Sequence, residues 1–337
     1  MAKILSFFPQ KLIEFSFYLL FFLVPLILTP FNYELFEYNK MMLTYGLTAI
    51  IVGSWLIKMI TNRRVHFTRT PLDLPLLLFL LSQIISTFLS IDRHVSIWGY
   101  YSRFNGGLLS TVSYILLYYA FVSNFRKEKI YKLLKVILVS GLLVALYGIL
   151  ERMGIDKNIW VQDVQNRVFS TLGQPNWLAA YLAVLIPIAI GFLLNQKPET
   201  RNQNKYQNSK TKNPKQFENF DFETLNFVSI SSLGFLVLVA IFYATLLFTK
   251  SRSGFLGFWI ADIIFWVLIL IKFKQGIIKS FLILNSLFLI LTFLFGSPFD
   301  QINRFTLPQL ISHQSFVANA PQDTPAKPIG SSIIDIG

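Results

Sequence analysis

Nine long apolar runs limit what this 337-residue sequence can fold into. Each run is close to the roughly 17–25 residues that an α-helix needs to cross the hydrocarbon core of a bilayer. None alternates between polar and apolar residues as the strands of a membrane barrel do. The sequence therefore predicts an all-α, polytopic membrane helical bundle with about nine transmembrane helices, over residues 13–28, 41–60, 72–89, 108–125, 130–150, 177–194, 227–248, 255–271 and 277–295.

Composition agrees with this prediction. Charged residues make up 14% of the chain and hydrophobic residues 54%, whereas a soluble domain carries about 25% charged residues. The absence of cysteine excludes disulfides and thiolate sites. The net charge of +13 lies mostly in short loops beside apolar runs, which is typical of the positive-inside bias. We therefore predict membrane lipid, and no nucleic acid, as a partner.

The same charges predict an orientation. With the N-terminus in the cytoplasm, about two thirds of the Lys and Arg residues lie on the inner side. Residues 1–296 then form the bundle, interrupted by a mobile cytoplasmic loop at 196–226 that is rich in Asn, Lys and Gln. Residues 297–337 are interpreted as the start of a large external loop, incomplete at Gly337.

Three loops on the predicted outer face place an arginine among small and polar residues just before a helix. They are residues 98–107 (WGYYSRFNGG), 166–177 (NRVFSTLGQPNW) and 249–254 (TKSRSG). Helix N-termini attract anions, and the planar guanidinium matches phosphate oxygens. The loops together predict a pyrophosphate site, although each arginine could instead anchor the chain at the membrane interface.

The remaining polar residues carry weaker signals. Asp262 lies inside an apolar run, where a hydrogen-bonded structural role is favoured over an ion pathway. His66, His94 and His313 each stand alone, without a surrounding motif. Neither a pair of acids nor a phosphate-binding loop is present, so we predict no metal, no nucleotide and no other cofactor.

Residues 167–182 (RVFSTLGQPNWLAAYL) and 249–257 (TKSRSGFLG) resemble signatures of the O-antigen ligase and polymerase superfamily, and residues 98–107 are similar to an outer-loop pattern in it. The resemblance implies a GT-C-like, metal-independent, inverting glycosyltransferase of the inner membrane. Its donor would be a glycan on undecaprenyl pyrophosphate, and its acceptor a hydroxyl or amide of a glycan, a lipid or a protein. By resemblance, Arg167 and Arg252 bind the donor pyrophosphate, supported by Arg103, Gln174, Asn176, Ser251 and Gly254.

The family's catalytic histidine lies in an external loop that would follow this chain, and His313 lacks its context. The resemblance therefore implies an N-terminal portion of such an enzyme, with no catalytic residue assigned and possible inactivity when alone. Two alternatives remain open: a transporter or flippase of an anionic polyprenyl-linked substrate, which predicts discontinuous helices, and a non-catalytic membrane scaffold.

Overall fold

The computed structural model describes residues 2–29, 34–100, 104–160, 162–195, 230–272 and 277–311, and within these ranges the chain is helical with no strand. In these ranges, nine long helices coincide with the nine predicted apolar runs over most of their length. These are α1 (Ala2–Leu23), α2 (Glu37–Asn62), α3 (Asp73–Phe88), α5 (Leu108–Asn124), α6 (Lys127–Arg152), α7 (Pro175–Leu194), α8 (Ile230–Phe248), α9 (Arg252–Lys272) and α10 (Ile277–Phe295). Two short helices, α4 (Arg93–Trp98) and α11 (Asp300–Asn303), lie in loops, as do 3₁₀ turns at Phe104–Gly106 and Ser170–Leu172.

Five of these helices, α2, α6, α7, α9 and α10, are long and apolar enough to cross a membrane. Three further apolar helices are shorter: α3, α5 and the described part of α8, Ser232–Phe248. The all-helical fold is thus confirmed for the described ranges, and the apolar helices support a membrane protein. The count of about nine spans and the cytoplasmic N-terminus stay predictions.

The outer surface of the bundle is apolar. Helix α3 has no buried residue. Its exposed side chains are largely apolar and include Leu74, Leu77, Leu78 and Phe79. In water, such a continuous apolar surface would drive association. Here it is the surface that a lipid-facing helix presents.

The interior of the bundle forms two hydrophobic clusters. The larger one centres on α7, whose Leu178, Leu182 and Ile186 are fully buried against α6, α8 and α9. The smaller one joins α1, α2 and α5 through residues such as Phe17 and Ile51. Asp262 is buried in α9 and accepts a hydrogen bond from the indole Nε1 of Trp266 at 3.0 Å. This contact is the kind of hydrogen bond that the structural interpretation of Asp262 predicts.

Some helix boundaries differ from the apolar runs. Helix α1 ends at Leu23, five residues before the end of its run, and a turn follows in which Leu26 and Ile27 both bond back to the Leu23 carbonyl. Pro25 has no N–H and cannot continue the helical ladder. Helix α2 begins earlier than its run, at Glu37.

Helices α7 and α9 approach each other closely at Gly254. A Cβ added to this glycine would lie 2.3 Å from the Cβ of Ala179 on α7, which is closer than any real contact. Gly257, one turn along the same helix, has nothing within 4 Å of the corresponding position. Gly254 therefore permits helix packing at this point.

We expect Gly254→Ala to lower the free energy of unfolding by about 1–3 kcal/mol, because the added methyl group must push α7 and α9 apart. Gly257→Ala is the matched control, and its higher helix propensity should leave the protein as stable or more so. Unfolding of both variants in detergent, followed by circular dichroism, measures the difference. If the two variants had the same free energy of unfolding, the close approach of α7 and α9 at Gly254 would be contradicted.

Candidate functional site

The N-termini of two helices meet at one end of the bundle. Asn176 is the second residue of α7, and Ser251 immediately precedes α9. The hydroxyl of Ser251 donates to Asn176 Oδ1 at 2.9 Å and accepts from the N–H of Gly254 at 3.1 Å. Ser251 therefore caps α9 in the manner usual for serine. The hydrogen bond to Asn176 holds the positive ends of two helix dipoles side by side.

Arg167 connects these two helix N-termini to the C-terminal end of a third helix, α8. Its Nε donates to the carbonyl of Thr249 at 3.0 Å, just after α8, and its Nη2 donates to Asn176 Oδ1 at 3.1 Å. The N–H of Val168 also bonds to the Phe248 carbonyl, at 3.2 Å. Arg167 is exposed, and its other N–H donors have no protein acceptor among the residues that the structure describes. They can reach an external anion.

Two more cations border this network. Arg252, the first residue of α9, has its guanidinium 3.6 Å from the carboxylate of Asp300 and donates from Nε to the Pro298 carbonyl at 3.3 Å. Both members of that ion pair are exposed, so the pair is weak. Lys250 has a left-handed backbone, with φ of 49°, and its ammonium bonds to the side chain of Asn166. Partial desolvation and the nearby charge of Arg152 lower the pKa of Lys250 from its ordinary value.

We name Arg167, Asn176, Ser251 and Gly254 the helix-end network. The structure thus brings four of the predicted site residues together, with Arg252 next to them in the chain but turned toward α11. Gln174 precedes α7, and its carbonyl accepts from the N–H groups of Trp177 and Leu178.

The other candidates lie elsewhere. His94 is exposed on α4, and His66 follows α2 at the opposite end of the bundle. Arg103, a predicted site residue, lies outside the described residues, as do His313, to which no role was assigned, and the loop 196–226.

Glu151, which the sequence reading missed, supports the segment that carries Arg167. Its side chain is fully buried near the end of α6, and its Oε2 accepts from the N–H groups of Phe169 at 3.1 Å and Ser170 at 2.7 Å. Ser170 adopts φ of 52°, an uncommon conformation for a residue other than glycine, and its hydroxyl donates to the Val144 carbonyl at 2.6 Å. The signal in the sequence that could have indicated this role is the position of a glutamate at the end of a long apolar run.

An apolar cavity of about 340 Å³ lies beside the network. Leu172 and Trp177 form one wall, and α1, α2 and α5 form the others through residues that include Phe21, Met41 and Leu117. Lys40 marks its polar edge, where the ammonium donates to the carbonyls of Ile27 at 2.6 Å and Thr171 at 2.7 Å. The cavity has the size and the apolar lining of a ligand pocket.

Among the described residues, no group of three or more His, Cys, Asp or Glu is placed to hold a metal ion. Compared with models of protein families, with curated proteins and with solved structures, the chain has no match.

We expect Glu151→Leu to destabilise the protein by about 2 kcal/mol, because it leaves the buried N–H groups of Phe169 and Ser170 without an acceptor. Glu151→Gln should cost less, since its amide oxygen can still accept from them. Glu128 is exposed at the other end of the same helix, and Glu128→Gln should change stability by less than about 0.5 kcal/mol. Thermal unfolding in detergent ranks the three variants. A Leu variant as stable as the Gln variant would show that Glu151 does not hold the segment.

Proposed function

We propose that this protein is a membrane glycosyltransferase of the O-antigen ligase type, or the donor-binding part of one. It would receive a glycan linked to undecaprenyl pyrophosphate and serve its transfer to a hydroxyl or amide of a lipid, glycan or protein acceptor. The observation that carries the proposal is the helix-end network. It aligns two helix N-termini and an arginine with unused donors, which is an arrangement suited to a polyvalent anion.

The chemistry of transfer gives these cations a role. In glycosyl transfer the acceptor atom, oxygen in a hydroxyl or nitrogen in an amide, forms a bond to the anomeric carbon, and the bond from that carbon to the pyrophosphate oxygen breaks. Negative charge then grows on the departing polyprenyl pyrophosphate. Arg167 and Arg252 would neutralise this charge, an effect worth about 3–4 kcal/mol per donor in comparable sites. The acceptor's proton passes to a base to which we assign no residue of this chain.

The apolar cavity supports a lipid-linked donor over a soluble nucleotide sugar. It lies next to Trp177, which directly follows Asn176 of the helix-end network. A ligand with a charged head and a hydrocarbon chain could therefore place its head on Arg167 and part of its chain between α1, α2 and α5. The exposed apolar surface of the bundle gives such a chain access from the bilayer.

The proposed orientation follows from the charge distribution. A cytoplasmic N-terminus and about nine spans would put the helix-end network on the outer face of the cytoplasmic, or inner, membrane. An acceptor outside the cytoplasm could then reach the donor headgroup. Residues 297–337 would lie on the same outer side.

We expect Arg167→Gln to weaken binding of undecaprenyl pyrophosphate by about 10- to 100-fold, because hydrogen bonds from a charged donor contribute about 1.5–3 kcal/mol. The chain is reconstituted in nanodiscs, and binding of the radiolabelled lipid is titrated. Arg93→Gln is the control, since Arg93 is exposed on α4 and is no part of the network. If both variants lose the same affinity, general surface charge and not the network binds the donor.

A second measurement separates transfer from transport. Proteoliposomes carry a fluorescent glycan on undecaprenyl pyrophosphate in both leaflets, together with an external acceptor. A transferase releases glycan from the lipid on the outer side and leaves the inner pool untouched, whereas a flippase moves the intact lipid between leaflets. We expect the donor to stay in its leaflet. Exchange of the lipid between leaflets that depends on Arg167 would instead identify the protein as a flippase. If the protein neither transfers the glycan nor moves the lipid, and does not bind the donor, the scaffold is favoured.

A further inference from the structure

The end of the bundle opposite the helix-end network holds a second cavity, which is basic. Helix α2 starts near the network, where its Lys40 contacts Thr171, so its last turn lies at the other end. A cavity of about 340 Å³ opens there, lined by Lys58, Met59, Asn62, Arg64 and His66. Nothing in the proposed transfer chemistry uses these residues.

The segment that carries Arg64 and His66 is held in place by neighbouring helices. The indole Nε1 of Trp55 donates to the His66 carbonyl at 3.1 Å, and the N–H of Thr68 donates to Ser123 Oγ on α5 at 3.0 Å. Between them, the ring of Phe67 stacks on Tyr119 with centroids 4.7 Å apart. The backbone at this cavity is therefore positioned before any ligand arrives, which lowers the entropy cost of binding.

The cavity also has a fixed positive charge. Lys58 donates to Gln10 Oε1 at 2.7 Å and to Asn124 Oδ1 at 2.8 Å, and both acceptors are neutral. The carboxylate of Glu14 lies nearby but is already bridged to Lys129 and Arg126.

Two further carboxylates near this end belong to Asp73 and Glu128. The Asp73 carboxylate accepts from Thr70 and Tyr119, which do not line the cavity, and Glu128 is exposed in the first turn of α6. None of the three acids forms an ion pair with Arg64 or His66 in the described part of the chain, so an anionic ligand would meet uncompensated charge.

Exposed apolar side chains adjoin the basic cavity. Ile57, Ile60 and Val65 are exposed by 56%, 76% and 86%, and they flank the lining residues Lys58, Met59 and Arg64 in the chain. A small soluble anion would use only the charges. An amphiphile uses both features, since its headgroup meets the cations while its hydrocarbon lies against the apolar side chains.

We propose that this cavity binds the phosphate headgroup of an anionic phospholipid from the adjoining leaflet, with Arg64 as its principal ligand. Basic clusters next to transmembrane helices bind such headgroups, here at the end of α2 and the segment after it, and the guanidinium of Arg64 provides the fork that fits phosphate oxygens. Lys58 supplies charge from the cavity wall, and the segment held by Trp55 and Ser123 keeps Arg64 over it. This site is independent of the donor site proposed above.

The test is native mass spectrometry of the full 337-residue chain, purified in detergent and titrated with phosphatidylglycerol or with phosphatidylcholine of the same acyl chains. We expect phosphatidylglycerol to bind more tightly. Arg64→Gln should lower its affinity about fivefold, which corresponds to the ~1 kcal/mol that one cation contributes near an anionic surface. Lys127→Gln is the matched control, because Lys127 is exposed on the first residue of α6 and does not line the cavity.

Three results would overturn the proposal. Equal losses in Arg64→Gln and Lys127→Gln would mean that lipid senses only the overall charge. No preference for phosphatidylglycerol over phosphatidylcholine would remove the role of the cations. Displacement of the lipid by millimolar inorganic phosphate would mean that the cavity binds a free anion. Circular dichroism of each variant verifies folding, and because Arg64 and Lys127 are both exposed, neither change should disturb it.

Discussion

The hydrocarbon core of a bilayer provides no hydrogen-bond partners, so every backbone polar group within it must be satisfied by the chain itself. Helices meet this requirement everywhere except at their ends, where four N–H or four carbonyl groups remain. In this protein those ends attract the polar side chains. Arg167 bonds to the Thr249 carbonyl beyond α8, and Ser251 accepts from the N–H of Gly254 at the start of α9. The helix-end network thus satisfies backbone groups that the end of α8 and the start of α9 leave without partners inside the helix.

Hydrophobicity made most of the fold predictable. Each long apolar run lies on a helix, because such a run can neither form a soluble loop nor leave its backbone unpaired in lipid. The exact ends were less predictable. Pro25 stops α1 within an apolar stretch, and Glu37 begins α2 before one, since a helix ends where its hydrogen bonds end and not where hydrophobicity does. Which helices pack together could not be read from the runs, which lack a strong amphipathic period.

The candidate site was predictable only in part. Arg167, Asn176 and Ser251 stand out because polar residues between apolar runs have few other reasons to be there, and the structure joins them by hydrogen bonds. The position of Glu151 at the end of an apolar run could have drawn attention to it, but its partners could not be predicted, since it binds the backbone of Phe169 and Ser170, 18 and 19 residues further along the chain. Long-range contacts of this kind leave no local pattern in a single sequence.

The two arginines at this end are not equivalent, and their difference bears on how an anion would be held. Arg167 is held by hydrogen bonds to Thr249 and Asn176. Its remaining N–H donors are therefore already positioned, and the side chain need not reorganise when a charge develops nearby. Arg252 is held by a solvent-exposed ion pair with Asp300, which competes with any incoming phosphate. An anion that displaces Asp300 would gain Arg252, while the hydrogen bond from Arg252 Nε to the Pro298 carbonyl could still hold this segment against α9. In the proposed site Arg167 would therefore set the position of the anion, while Arg252 would link its arrival to the segment that follows α10.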